Sequence, residues 1–315
     1  MTSSRGQAGK VALLGIGLLV APFNAGKAQS LDWQPIVGED KTALTYALRI
    51  GEEDHLALYA CRAKIGAGVH PGRFREDFTG CHIGFGGQEV SVAPFDVLTS
   101  AWQDGANGGV PPHSLAAGQR AVVGSTARFN LTTLYPCRAI YQNSVQVGEI
   151  ASGDRSCHFG FGGREVSELT YQVLWDAPWM TWIAGIVHQI PPDAIVAGIE
   201  GGESFYVCRA GDRTGVHPGK VKQSSPGCSF PSEGNEVVAT QFSLLVPRWV
   251  AGNAGTIPVT ALPVGNERQD LIYLCRTQMK NTVQIGKITE QFAACHVGMQ
   301  GGENASQAYD ILSER

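Results

Sequence analysis

Hydrophobic and polar positions along this chain change over in short runs and do not recur every three to four residues. FYVCRA (205–210) and LIYLCRT (271–277) are brief β-branched and aromatic stretches, and HPGKV (217–221) and VQIGKI (283–288) join a turn to a strand. FGFGGREV (159–166) leads a glycine turn into another strand, and FDVL (95–98) and YQVL (171–174) alternate as half-buried strands do. No window sustains a 3.6-residue period with caps, so an all-β fold with little helix is expected.

The runs recur at fixed offsets, which makes the chain a set of repeats. Tyr59, Tyr135, Tyr206 and Tyr273 each stand two residues before a cysteine (Cys61, Cys137, Cys208, Cys275), and an arginine follows it (Arg62, Arg138, Arg209, Arg276). A glycine lies eleven residues after the first cysteine (Gly72, Gly148, Gly219, Gly286) and a second cysteine lies twenty after it (Cys81, Cys157, Cys228, Cys295). A glycine, a glutamate, an aromatic and a leucine then follow at common distances. A tryptophan opens each unit (Trp33, Trp102, Trp182, Trp249), giving four tandem repeats of about 70 residues at 33–98, 102–174, 182–245 and 249–312. The second carries nine extra residues between Pro111 and Tyr135. Repeats one and three read VHPGR and VHPGK, whereas two and four read VQVGE and VQIGK. This alternation suggests that neighbours pair into two compact β domains, sandwich or barrel-like, over 31–176 and 177–315. Glycines required four times over are expected at positive φ or against a neighbouring backbone.

Composition narrows the setting. Gly 40 and Pro 16 with 17% charged residues suit many turns and short strands. A formal charge of -4 offers no field for nucleic acid. Residues 1–28, with Arg5 and Lys10 ahead of VALLGIGLLVAPF and a small-residue stretch ending at Ala28, read as a secretory signal peptide. No later stretch is long and apolar enough for a membrane helix, so no membrane span is expected once the signal is removed. All eight cysteines fall in the repeat columns. Eight cysteines allow many pairings, and the repeated spacing favours four local bridges, Cys61–Cys81, Cys137–Cys157, Cys208–Cys228 and Cys275–Cys295. Metal spacing such as Cys-x-x-Cys is missing, so neither metal nor other cofactor is expected.

Two further columns carry candidate chemistry. Fourteen residues after each tyrosine stand Arg73, Glu149, Lys220 and Lys287; six before stand Glu53, Phe129, Glu200 and Glu267. Acid and base are present together in three repeats and missing together in the second. Such a pair is either a cross-strand ion pair or a site for a polar ligand, the carboxylate accepting from hydroxyls and the cation donating to them. Glu236 and Glu303 are expected to hold a neighbouring arginine. An enzyme would have to use His70 and His217, which have no counterpart in repeats two and four, and no nucleophile motif such as G-x-S-x-G occurs. No enzymatic activity is therefore expected.

The succession of W, G-x-[VI]-P, Y-x-x-R-A, P-G-K-V, C, G-x-E and Y-x-V-L over nearly all of 31–315 resembles the DM-nine repeat, whose members include tandem mannose-binding lectins. The resemblance implies a sugar site built from the lysine of P-G-K and an acid before the tyrosine. By motif these are Lys220, with Lys287 and Arg73, and Glu200, Glu267 and Glu53; Glu203, Asp270 or Asp54 stand one register away. It implies a secreted (extracellular or periplasmic), multivalent carbohydrate-binding protein whose partners are glycans or cell-surface carbohydrate. The alternative is a disulfide-stapled extracellular scaffold binding protein partners.

Overall fold

The computed structural model describes residues 31–38, 40–105, 109–123 and 129–315, so the signal expected at 1–28 lies outside the described residues. The fold is all-β, with one short helical turn at Thr42–Tyr46 among the described residues. No helix among them is long and apolar enough to cross a membrane.

Each repeat is an antiparallel ladder closed by its own ends. Trp182 lies opposite Leu245, and Trp33, Trp102 and Trp249 lie likewise opposite Leu98, Leu174 and Leu312. Four disulfides form between the cysteines twenty residues apart, with Cα–Cα distances of 5.8–6.0 Å. The glycine after the first cysteine permits this closeness: a Cβ on Gly219 would sit 2.1 Å from the Ser229 carbonyl oxygen, so no side chain fits. Each bridge lies at the centre of a small apolar cluster of its own repeat, such as Phe230, Val221 and Leu244 around Cys208–Cys228.

The repeats associate in a nested order. Gln88–Val92 of repeat one bonds to Gly302–Ser306 of repeat four, and Gly68–Phe74 to Pro263–Glu267. Arg164–Glu168 of repeat two bonds to Asn235–Ala239 of repeat three, and Ser144–Ala151 to Val196–Glu200. Each pair makes one 14-stranded sheet that closes as an eight-stranded barrel with extra strands. The expected division into 31–176 and 177–315 is therefore replaced by a pairing of one with four and two with three. The HPG-type repeat faces a VQxG-type repeat in either arrangement, so the alternation that suggested tandem pairs fits nested ones equally. Linkers explain which is adopted. Only residues 99–101 and 246–248 separate the ends of one and two and of three and four, whereas 175–181 join two to three. Short links hold consecutive repeats side by side, and their closing strands converge on one shared cluster containing Leu98, Leu174, Leu245 and Leu312 with all four opening tryptophans packed against it.

The repeated glutamates seal each barrel. Gly301 donates its N–H to Glu89 at 2.8 Å and Gly87 donates to Glu303 at 2.8 Å; Gly234 and Gly163 do the same for Glu165 and Glu236 at 2.8 and 2.9 Å. These turn glycines have φ of 78–82°, the left-handed region in which a side chain is strained. Glu236 and Glu303 thus grip the partner repeat's turn and not a neighbouring arginine. The arginine beside each first cysteine lies over its own repeat's tryptophan, at 4.4–4.5 Å.

Candidate functional site

The basic column follows a glycine packed against backbone, so its side chains point across the barrel into the partner repeat. Arg73, Lys220 and Lys287 are 3%, 5% and 4% exposed, far below what a solvated base shows. Arg73 donates to Glu53 at 2.6 Å and Glu89 at 2.8 Å in its own repeat, and to Gln284 at 3.2 Å and the Gly298 carbonyl at 2.8 Å in repeat four. Lys220 donates to Gln146 and, at 2.6 Å, to the Gly160 carbonyl, both in repeat two. Its ammonium lies 4.8 Å from the centre of the Phe205 ring. Burial pulls the Lys220 pKa down to about 8, against the opposing pull of Glu236 and Glu200.

The predicted pairs are brought together unequally. Glu53 meets Arg73 directly. Glu200 reaches Lys220 through Gln146, whose amide donates to Glu200 at 2.9 Å while its oxygen accepts from the lysine. Gln284 does the same between Arg73 and Glu53, donating to Glu53 at 3.2 Å. Lys222, at 3.1 Å, also holds Glu200. Burial raises the Glu200 pKa, but the bonds from Lys222 and Gln146 outweigh it and hold the carboxyl low. Lys287 has no direct bond to Glu267 among the described residues; it lies 3.4 Å from His70 and 5.0 Å from the centre of the Phe85 ring. The shifted-register acids are occupied elsewhere, Asp54 by Arg75 at 3.1 Å, Glu203 by Ser224 at 2.9 Å and Asp270 by Gln291 at 2.7 Å.

Two features escaped the repeat count. One is the clamp from the partner repeat, supplied by Gln146, Gln284, His70 and His217, all eleven residues after their tyrosines. The HPG/VQxG spelling was its trace. The other is the acid position in repeat two. Strand register places Gly118 opposite Leu134 and Arg120 opposite Thr132, as Gly51 lies opposite Leu58 and Glu53 opposite Leu56. The counterpart of Glu53 is thus Arg120 and not Phe129, because the nine extra residues lengthen this hairpin. The second repeat has not lost its pair; the signs are exchanged, with Arg120 lying 3.4 Å from Glu149. His217 completes the group, its Nδ1 at 2.9 Å from Glu149 and its Nε2 at 2.8 Å from Thr214 and 3.2 Å from Asp212.

Histidines in the same column should consequently titrate on opposite sides of the ordinary value of 6.5. Burial and Lys287 hold His70 below it, whereas at His217 Glu149 and Asp212 outweigh burial and hold it above. His217, raised on folding, contributes stability that is complete below about 6.5 and is lost as pH rises through its folded value. Imidazole resonances followed against pH test this; two histidines titrating together would refute it.

The DM9 repeat family model matches residues 52–125, 129–239 and 200–306. The chain belongs to the DM9 repeat family. No curated protein matches it. Among solved structures, this DM9 repeat chain is similar to the nematode sperm cell motility protein MFP2B at 10% identity and a TM-score of 0.21, covering 91% of this chain and 98% of that one. The DM9 matches reach into all four repeats and so into both barrels.

Proposed function

We propose that this protein is an exported, non-catalytic, multivalent lectin with Lys220 and Glu200 at its principal sugar site and Arg73–Glu53 and Lys287–Glu267 as weaker relatives. The observation that carries this reading is a pocket of about 340 Å³ at Lys220. Glu200, Lys222, Ser229 and Glu236 line it with Phe161, so groups that accept from and donate to hydroxyls stand beside an aromatic ring. Arg73 already gives four of its five N–H groups to acceptors within the protein, and Glu267 is not bonded to Lys287, which favours the third repeat's site. Several weak sites on one rigid body would gain avidity on a glycan-covered surface. Four disulfides and the lack of a membrane-spanning helix among the described residues are compatible with an extracellular location.

A glycan array including mannosides tests the reading. Binding by the parent and a loss of at least about tenfold in Lys220→Ala are expected, as for one charge-assisted hydrogen bond removed. Retention of full binding by Lys220→Ala, or no binding to any glycan, would leave the scaffold for protein partners as the better account.

A further inference from the structure

Each repeat sets the arginine beside its first cysteine opposite one residue of its final strand. In three repeats that residue accepts a hydrogen bond from the guanidinium. Arg62 bonds to Asp96 at 3.0 Å, Arg138 makes two bonds to Gln172 at 2.8 and 2.7 Å, and Arg276 bonds to Asp310 at 3.1 Å and Asp193 at 2.7 Å. In repeat three the opposite residue is Ser243. Arg209 retains a single bond of 3.4 Å to the Ala117 carbonyl and has no ion pair among the described residues. Its guanidinium is nonetheless held in place, 4.4 Å over Trp182.

Arg209 lies in a groove of about 680 Å³ where repeat three meets repeat two, on a different face from the Lys220 pocket. The corresponding groove between repeats one and four contains Arg62 with Asp96 beside it, so there the carboxylate is built in. At Arg209 the place of that carboxylate is vacated by a short hydroxyl side chain. A planar guanidinium stacked on an indole presents parallel donors that match a carboxylate's two oxygens. Gln119, Thr133, Gln241 and Ser243 add neutral donors and acceptors around it, and Phe242 adds an apolar face.

We propose that this groove is a binding site for a carboxylated sugar, a hexuronate, whose acid group takes the position that Asp96 and Asp310 fill in repeats one and four. The sugar part of the ligand rests on the lectin reading; the carboxylate part rests on Arg209 alone. Titration of the whole protein with glucuronate, glucose and acetate, followed by calorimetry, tests it. Glucuronate is expected to bind more tightly than acetate through its hydroxyls, and at least about tenfold more tightly than glucose, the difference a charge-assisted pair makes. Arg209→Gln should abolish that preference. Ser243→Asp should abolish it too by restoring the internal partner, with an undiminished thermal midpoint, because repeats one and four already use this pairing. Lys220→Ala should leave glucuronate binding intact, so failure of the mannoside experiment does not decide this one. Undiminished glucuronate binding by Ser243→Asp, or acetate and glucose matching glucuronate, would overturn the proposal.

Discussion

Replacing Cys208 and Cys228 together by alanine is expected to destabilise the barrel of repeats two and three by about 3 kcal/mol, the loop-closure contribution of a bridge spanning twenty residues. Both sulfurs are wholly buried among Phe230, Val221 and Leu244, so a packing loss adds to the entropic one. The nested order specifies where the damage spreads. Amide exchange should accelerate next in repeat two, over Ser144–Ala151, whose strand bonds directly to repeat three. Repeat four follows repeat three along the chain, yet Thr282–Ile288 should keep its protection longer because it bonds within the other barrel. Denaturant melts with residue-resolved exchange measure both parts; repeat four loosening before repeat two would contradict the pairing.

The exchanged charges in repeat two give the second large effect. Glu149 is 2% exposed and is paired with Arg120 and His217, so Glu149→Lys removes the carboxylate that both of them face and sets a buried ammonium against the Arg120 guanidinium in its place. A loss of about 3–5 kcal/mol is expected, as when a buried pair is broken. Adding Arg120→Glu restores an opposite charge beside the new lysine, in the order of acid and base that the other three repeats have, and most of the loss should be recovered. His217 then faces a lysine, as His70 does in the other barrel. A double-mutant cycle by chemical denaturation reads the coupling directly. A double variant as unstable as Glu149→Lys alone would show that Arg120 is not the counterpart of Glu53.

Strand content, repeat boundaries and local disulfides were readable because each depends on residues within one unit: cysteines at constant spacing, glycines that meet backbone, a tryptophan opposite a leucine. Partnership between units was not readable, since an alternation of two spellings satisfies more than one pairing. The same limit governed the site. A gapless count of repeat two landed on Phe129, because extra residues in a hairpin move the register and only strand pairing shows that Arg120 occupies the column. The glutamine clamps escaped because Gln146 and Gln284 act in the neighbouring unit, and a residue whose partner lies 74 or 211 positions away leaves no local pattern. The acid and base columns were visible because three repeats spell them alike, whereas the unequal bonding of Glu53, Glu200 and Glu267 depends on side-chain reach.

The nesting of repeats two and three between one and four along the chain also orders events as the polypeptide leaves the ribosome. Repeats two and three are consecutive, so their barrel can shut as soon as Asn235–Ala239 has emerged to meet Arg164–Glu168. The strand Gln88–Val92, made much earlier, has no partner across the barrel until Gly302 appears, after repeats two and three are complete. Throughout that interval the nascent chain carries half a barrel with an open, pairing-competent rim, the kind of surface that chaperones cover and that neighbouring nascent chains can join.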